Sequence, residues 1–292
     1  MEINYLRISV TDRCNLRCLY CFPKDYLPRG GILSFEEIRF IAESLGIKNI
    51  RLTGGEPLVR KDFPKLVKML SPLAEDLSLT TNGVLLKDMA YELKKSGIKR
   101  VNISLNSLKR DNYRRITGED RLSDAMRGIE EALRAGFSPV KINVVLLKGI
   151  NEDEIMELAY LARDGLNVRF IELMPFLRDD LFLPTDEAER RIREAFGELE
   201  PSELYGFGPA RYYTVKGWKG KIGFISPITH KFCRYCNRIR LTSDGKIKPC
   251  LLSDIEIDIR GKGREEIREV LKIAPFLKGG RGTRRRMVEI GG

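Results

Sequence analysis

Strand-like and helix-like segments alternate along the first 200 residues, and no other feature constrains the fold as strongly. β-Branched and apolar runs predict six strands, at 6–10, 49–53, 76–81, 100–105, 140–147 and 167–173. Amphipathic stretches between them predict five helices, near 34–45, 62–70, 86–96, 121–135 and 151–163. Regular alternation of this kind favours a parallel sheet with crossover helices. Six βα units are too few for a closed eight-fold barrel, so we predict an α/β fold with a partial, TIM-like (βα)6 barrel.

The pattern changes near residue 200, where shorter Tyr- and Gly-rich segments begin. Residues 210–215 and 221–226 predict short antiparallel strands, and residues 263–273 predict one further helix. We therefore divide the chain into a barrel over residues 1–200 and a β-rich C-terminal extension over residues 201–292 that closes the barrel. Active sites of such barrels lie at the carboxyl ends of the strands.

The six cysteines fall into two triplets, C-x3-C-x2-C and C-x2-C-x13-C. The first triplet is Cys14, Cys18 and Cys21, and the second is Cys233, Cys236 and Cys250. Three thiolates are one short of the four that fully ligate an iron–sulfur cluster, and an open metal position is typical of catalysis. Two alternatives stay open. Three disulfides are one, although a chain of this length can bury a core without them. Zinc is the other, but it usually takes four Cys or His ligands, and the chain has only one histidine, His230.

The composition favours an anionic partner and a cofactor. The chain carries 52 Lys+Arg against 41 Asp+Glu, a net charge of +11. That excess favours a nucleotide or another phosphate-bearing ligand, although charge-rich surfaces are also typical of thermophile proteins. A single histidine almost excludes general acid–base chemistry by imidazole. We therefore expect no catalytic side-chain acid or base, and a cofactor that supplies the chemistry.

The chain shows no sequence feature of a secreted or membrane protein. Residues 1–13 are polar and lack the apolar stretch of a secretory leader. No run of about 18 apolar residues is present. We therefore expect a cytoplasmic protein without a membrane partner.

The segment around the first triplet, VTDRCNLRCLYCFP, is similar to the signature of radical S-adenosylmethionine (SAM) enzymes. In that superfamily three thiolates hold a [4Fe–4S] cluster whose open iron chelates SAM. Reductive cleavage of SAM then yields a 5′-deoxyadenosyl radical. The motif GGEP at 54–57 strengthens the resemblance, because glycine lets the backbone approach a ligand closely. A simple tight turn is the alternative explanation of these glycines.

The second triplet narrows the resemblance. Residues 232–251, FCRYCNRIRLTSDGKIKPCL, resemble the GTP 3′,8-cyclase family, which opens molybdenum cofactor biosynthesis. Further matching motifs are LRISVTDRCNLRCLYC, IRLTGGEPLVR, LTTNG, VNISLNSL, VKINVVLLKGIN, RFIELMP and a Gly-Gly end. The resemblance implies a second [4Fe–4S] cluster whose open iron binds the purine of GTP. It also implies abstraction of the C3′ hydrogen and formation of 3′,8-cyclo-7,8-dihydro-GTP.

The resemblance also implies partners. These are the substrate GTP, an electron donor and, by pathway, a downstream cyclic pyranopterin monophosphate synthase. No nucleic-acid partner is expected, and a homodimer stays open.

The site residues carried over by the resemblance fall into three groups. The cluster ligands are the two cysteine triplets. The GTP contacts are Arg7, Arg51, Thr80, Lys141, Arg238, Ile239 and Arg240. The SAM contacts are Tyr20, Gly55, Ser104 and Met174. Arg169 is a further candidate for the triphosphate.

Independent chemical support for these residues is uneven. Arg238 and Arg240 alternate along a predicted strand and so face one side, which suits bidentate phosphate binding. A solvated edge-strand face is their alternative. Hydroxyls also cap helices, a lysine at a strand end can be solvated, and methionine often fills cores. The resemblance alone therefore supports Thr80, Ser104, Lys141 and Met174.

Some features leave other interpretations open. Asn106 stands where the resemblance predicts an aspartate, which puts a charged role there in doubt. One rival function is a radical SAM peptide-modifying enzyme, although these usually carry more C-terminal cysteines. The other is a zinc-ribbon module that binds nucleic acid, which needs four-ligand sites.

The end of the chain, Gly291-Gly292, is predicted to enter the barrel after GTP binds, with a frayed end as the alternative.

Overall fold

A single twisted sheet of twelve strands forms the centre of the molecule. The computed structural model describes residues 2–23, 26, 31–174, 177–204 and 206–279. The strands are β1 (Tyr5–Ser9), β2 (Asn49–Thr53), β3 (Asp76–Thr81), β4 (Arg100–Ser104), β5 (Val140–Val145), β6 (Asn167–Ile171), β7 (Glu200–Ser202), β8 (Arg211–Thr214), β9 (Ile222–Ile225), β10 (Arg238–Leu241), β11 (Lys246–Lys248) and β12 (Ile257–Asp258). Their order across the sheet is β12-β11-β10-β1-β2-β3-β4-β5-β6-β9-β8-β7.

The helices follow the predicted βα alternation. They are α1 (Phe35–Leu45), α2 (Phe63–Leu70), α3 (Leu86–Ser96), α4 (Arg110–Thr117), α5 (Leu122–Arg134), α6 (Ile155–Tyr160), α7 (Thr185–Phe196) and α8 (Arg264–Ile273). The predicted helix at 151–163 is shorter than expected, because its first turn is the 3₁₀ helix Glu152–Glu154. Helices α4 and α7 were not predicted, since α4 is strongly polar and α7 lies past the last predicted strand.

Helix α1 shows how local sequence sets an element. The Ser34 hydroxyl accepts from the Glu37 amide at 3.0 Å, and the Glu37 carboxylate accepts from the Ser34 amide at 2.6 Å. This reciprocal pair satisfies two amides at the helix start and confirms Ser34 as the N-cap. Gly46 ends the helix at φ 67°, a conformation that glycine adopts without strain.

The C-terminal strands extend both sides of the barrel sheet. Strand β9 pairs with β6, and β10 pairs with β1, in both cases parallel. Among the strands of the described residues, the antiparallel pairs are the outer ones, β7–β8, β8–β9, β10–β11 and β11–β12. The predicted antiparallel strands at 210–215 and 221–226 are confirmed as the β8–β9 pair, and β9 also pairs in parallel with β6. The predicted partial barrel is confirmed as well. The division of the chain at residue 200 stays a prediction.

Alternation along each strand separates a dry face from a polar one. In β1, Leu6 and Ile8 are fully buried in the apolar core, whereas Tyr5 and Arg7 line an inner cavity. The other parallel strands repeat this pattern, because successive side chains point to opposite faces. The helices cover the apolar face, and the inner face is left for polar chemistry. None of the helices in the described ranges is both long and apolar enough to cross a membrane.

Candidate active site

The two cysteine triplets line one cavity inside the curved sheet. The cavity measures about 340 Å³ and lies toward the carboxyl ends of the parallel strands. All six cysteines border it, and all six are free thiols, so the disulfide alternative is wrong. Residues more than 200 positions apart in the chain are thus brought to one site, as the partial-barrel prediction requires.

The first triplet occupies the loop after β1. The Cys21 amide donates to the Cys18 carbonyl at 2.9 Å, and the Leu16 amide donates to Cys14 Sγ at 3.4 Å. Burial, with the nearby Glu56 charge, raises the pKa of Cys14 to about 11. Burial and the neighbouring Cys14 raise the pKa of Cys18 to about 12. Such thiols ionise only with a strong positive charge beside them, which a bound iron cluster supplies.

The GGEP turn packs directly against this loop. A Cβ on Gly54 would lie 2.6 Å from the Thr11 carbonyl oxygen, and one on Gly55 would lie 2.3 Å from that of Arg13. The Gly55 amide donates to the Thr11 carbonyl at 2.7 Å. Glycine is therefore required here for close backbone packing beside the first triplet. A simple tight turn does not explain these two residues.

Glu56 completes the turn from inside the protein. Its carboxylate accepts from the Thr81 hydroxyl and the Asn82 amide, each at 2.7 Å, and from the Leu58 amide at 3.1 Å. Burial raises the pKa of Glu56 to about 7 despite these donors. The carboxylate thus connects the turn after β2 to the end of β3.

The second triplet is held by the C-terminal extension. Cys233 begins the short 3₁₀ helix Cys233–Tyr235, and the Cys236 amide donates to the Cys233 carbonyl at 3.2 Å. Cys250 follows β11. Cys233 is exposed, while Cys236 and Cys250 are half-buried. The second triplet is therefore more open to solvent than the first.

Neither triplet is arranged for a single metal ion. Within the described ranges, no three Cys, His, Asp or Glu side chains come close enough together to hold one ion. His230, which could have completed a zinc site, bonds through its imidazole to Asp186 at 2.8 Å instead. Three thiols that share a cavity without meeting at one point fit a polynuclear cluster better than zinc.

A row of arginines forms one wall of the cavity. Strand register places Arg7 between Arg240 on β10 and Arg51 on β2. Burial, followed by repulsion from Arg240 and Arg51, lowers the pKa of Arg7 well below its usual value. Burial also lowers the pKa of Arg51 and that of Arg240 to about 10. Like charges held this closely in a buried wall favour a polyanionic ligand.

The remaining predicted residues divide into those on the cavity wall and those behind it. The wall includes Tyr20, Gly55, Thr80, Ser104, Arg169, Met174 and Arg238. Lys141 and Ile239 are not among the lining residues. The Ile239 side chain is fully buried in the apolar core, so only its backbone faces the arginine row. That these residues contact GTP or SAM stays a prediction.

Lys141 lies behind the wall, among other cations. Its side chain is 2% exposed, and its ammonium lies 5.5 Å from the centre of the Tyr212 ring. Burial, followed by repulsion from Arg169 and Arg100, lowers the pKa of Lys141 to about 6. A negative ligand in the cavity would offset that repulsion and raise the pKa of Lys141 without contacting the ammonium.

Several buried polar atoms on the cavity wall lack a hydrogen-bond partner within the described ranges. They are Tyr5 Oη, Thr80 Oγ1, Asn143 Oδ1 and Arg169 Nε. Buried polar groups are normally hydrogen-bonded, so a cluster of exceptions in one cavity indicates a polar ligand. The cavity therefore fits a nucleotide as well as the iron clusters.

Sequence reasoning missed two buried acidic residues, of which Glu172 lines the cavity and Asp76 lies at the amino end of β3. Asp76 on β3 pairs with Arg100 on β4, and both side chains are at most 3% exposed. Glu172, just after β6, accepts from the Thr185, Ile228 and Thr229 amides. Both lie on or just beyond predicted strands, where a charged residue among apolar neighbours signals an inward position. The predicted Gly291-Gly292 tail lies outside the described residues.

Comparison with known proteins defines the class of protein first. Residues 8–162 match the family model of the radical SAM superfamily, and residues 166–279 match the model described as Molybdenum Cofactor Synthesis C. The chain therefore belongs to the radical SAM superfamily, whose SAM and iron–sulfur chemistry agrees with the first triplet. The second match covers the strands and loops that carry the second triplet.

Curated relatives narrow the class to one family. The chain is 47% identical to the GTP 3′,8-cyclase of Thermodesulfovibrio yellowstonii over 92% of its own length and 90% of the relative's. It is 45% identical to the GTP 3′,8-cyclase of Pelotomaculum thermopropionicum over 100% of its own length and 98% of the relative's. The chain belongs to the GTP 3′,8-cyclase family, whose members use SAM and iron–sulfur clusters.

Solved structures show the same fold at low identity. Streptococcus suis SuiB bound to S-adenosylmethionine superposes with a TM-score of 0.69 at 16% identity, over 93% of this chain and 65% of that one. The protein anSMEcpe with bound AdoMet gives a TM-score of 0.59 at 16% identity, over 93% of this chain and 83% of that one. At these identities the similarity concerns the fold alone.

Proposed function

We propose that this protein is a GTP 3′,8-cyclase that catalyses the first step of molybdenum cofactor biosynthesis. The observation that carries the proposal is one cavity bordered by two cysteine triplets, a row of buried arginines and a set of unbonded polar atoms. The curated relatives named GTP 3′,8-cyclase support the same activity. When bound, the first cluster and SAM would supply a 5′-deoxyadenosyl radical able to remove the C3′ hydrogen of GTP.

The residues of the cavity would hold the two ligands apart but facing each other. Cys14, Cys18 and Cys21 would ligate the first [4Fe–4S] cluster, and Tyr20, Gly55, Ser104 and Met174 would surround SAM. Cys233, Cys236 and Cys250 would ligate the second cluster, which receives the purine. The arginines Arg7, Arg51, Arg238 and Arg240, with Thr80 and the Ile239 backbone, would hold the nucleotide.

These side chains contribute positioning and charge rather than acid–base chemistry. Arginines that bind the triphosphate in a bidentate manner would restrict the position of the ribose next to the SAM site. Lys141 and Arg169 add positive charge around the phosphates.

A peptide-modifying activity is the weaker alternative. Its support is the likeness to SuiB bound to the precursor peptide SuiA, which at 17% identity concerns the fold only. Six free cysteines in two sets of three leave no thiol for a further cluster. The arginine row suits a phosphorylated ligand better than a peptide backbone.

The wider setting of the protein is also part of the proposal. Residues 1–200 would generate the radical and residues 201–292 would hold the substrate. An electron donor would reduce the first cluster, and a cyclic pyranopterin monophosphate synthase would consume the product. Free thiols and iron clusters favour the reducing cytoplasm. A homodimer remains open to test by ultracentrifugation.

The decisive experiment is anaerobic incubation of the reconstituted protein with GTP, SAM and dithionite, followed by mass spectrometry of the products. We expect 3′,8-cyclo-7,8-dihydro-GTP and 5′-deoxyadenosine in equal amounts. GTP deuterated at C3′ should transfer the label to 5′-deoxyadenosine. Turnover of guanosine as rapid as that of GTP would contradict a triphosphate clamp, and retention of deuterium in the nucleotide would contradict the assigned hydrogen.

A further inference from the structure

Lys278 lies directly against the second cysteine triplet. Its ammonium donates to Cys236 Sγ at 3.6 Å and to the Pro249 carbonyl at 3.2 Å. It also donates to the Arg238 carbonyl. A lysine ammonium has three N–H donors, and these three acceptors satisfy all of them.

The three acceptors come from both loops that carry the triplet. Cys236 and Arg238 belong to the segment that enters β10, whereas Pro249 immediately precedes Cys250 after β11. Lys278 itself follows α8 and its 3₁₀ extension, Ala274–Leu277. One ammonium therefore connects three separate segments around the second triplet.

The position of Lys278 is built rather than accidental. The side chain lines the same cavity as the triplets. Holding a half-buried cation next to the Arg238 side chain is unfavourable unless a negative group compensates. A cluster with three thiolate ligands would be such a group.

We propose that Lys278 positions the second triplet and raises the reduction potential of the cluster bound there. This inference rests on the proposed function only in so far as the second triplet holds a cluster. One electron from a donor such as dithionite makes the cluster one charge more negative. An N–H donor and a positive charge at a ligand sulfur stabilise that reduced form more than the oxidised form.

The test isolates the second cluster in a chain with Cys14, Cys18 and Cys21 all changed to alanine. In this background an anaerobic redox titration followed by EPR reports the second cluster alone, without SAM, GTP or turnover. We expect Lys278→Met to shift the midpoint potential to a lower value. Lys278→Arg, which keeps the charge and the donors, should return it close to the value of the background.

Lys272→Met is the matched control. Lys272 lies on α8, is mostly exposed and pairs with Glu269 rather than with the triplet. Lys272→Met removes the same charge from the same region but leaves the contacts of the triplet intact. The midpoint potential of the second cluster should therefore stay unchanged in this variant. An unchanged potential in Lys278→Met, or an equal shift in Lys272→Met, would overturn the proposal.

Two further outcomes are equally informative. Loss of iron in Lys278→Met but not in Lys278→Arg would support the positioning role, because the donors would then be needed to hold the ligands. Loss of iron in both Lys278 variants would overturn it. If the background chain itself binds no iron, the proposal of a second cluster is wrong. That result differs from an iron-loaded chain in which changing Lys278 leaves the midpoint potential unchanged.

Discussion

The amide of Asn106 donates to the Tyr20 hydroxyl at 2.8 Å, and its oxygen accepts from the Val145 amide at 2.8 Å. One side chain thus connects the loop of the first triplet to the end of β5. Tyr20 lies two residues from Cys18 in the same loop, and both line the cavity, so the contact reaches the segment of the predicted cluster ligands. Asn106, where an aspartate had been expected, has a positioning role that needs no charge.

Asn106→Ala should therefore lower the free energy of unfolding by about 1–3 kcal/mol, because it leaves a buried amide without an acceptor. Asn106→Asp should cost less, since a carboxylate accepts from both Val145 and the Tyr20 hydroxyl. Anaerobic chemical denaturation of the two variants measures the difference. Equal stability of Asn106→Ala and the unaltered protein would contradict this role.

Gly55→Ala should disrupt the first triplet. Its Cβ would lie 2.3 Å from the Arg13 carbonyl oxygen, a backbone atom that cannot move without displacing the triplet loop. We expect the iron content to fall from about eight to about four per chain and SAM binding to be lost. Gly208→Ala, whose Cβ meets nothing within 4 Å, is the control and should keep full iron content. Iron analysis and SAM titration provide the measurements, and full iron in Gly55→Ala would refute the packing argument.

The two triplets should differ in function. Cys14→Ala should abolish reductive SAM cleavage, because the first cluster is proposed to bind SAM. Cys250→Ala should leave some SAM cleavage but stop conversion of GTP, because the second cluster is proposed to hold the purine. Quantifying 5′-deoxyadenosine and the nucleotide product separates these outcomes. Equal loss of SAM cleavage in both variants would contradict the assignment of separate functions to the two clusters.

GTP binding should be coupled to proton uptake through Lys141. With a pKa of about 6, Lys141 is mostly neutral at pH 7.5 in the free protein. Nearby phosphates raise that pKa, so binding takes up at most about one proton, and affinity falls as pH rises above 6. Calorimetry in buffers of different ionisation enthalpy measures the uptake. Lys141→Met corrects for the protons of GTP itself, and equal uptake by both proteins would exclude Lys141.

Glu172→Gln should destabilise the approach to the second triplet. The carboxylate accepts from the amides of Thr185, Ile228 and Thr229 and from the Thr185 and Thr229 hydroxyls. The NH2 group of a glutamine would face the N–H and O–H donors that the carboxylate now accepts from. We therefore expect a loss on the order of 3 kcal/mol in unfolding free energy. Glu194→Gln, at an exposed pair with Arg190, should change it by less than about 1 kcal/mol. Denaturation curves that coincide for both variants would count against this account.

The sequence by itself determined the strands, most helices and the candidate chemistry. Local patterns suffice for these features: β2 and β3 have the bounds that alternation predicts, and cysteine spacing is a local property. Short motifs likewise led to the family, because cluster and SAM binding use contiguous loops. Helix α4 escaped prediction, since its polar surface gives little apolar periodicity.

Only the tertiary structure decided which distant residues meet. Parallel pairing of β10 with β1 sets Arg240 beside Arg7, although 232 residues separate them, and no local pattern encodes that register. The sequence did not distinguish Lys141 and Ile239 from the residues that line the cavity. In the folded structure Lys141 lies behind the cavity wall, and Ile239 is buried in the apolar core. The contacts of Glu172, Asn106 and Lys278 likewise depend on how loops from separate units pack. Side-chain type is local information, whereas the distance between charges is a property of the folded sheet.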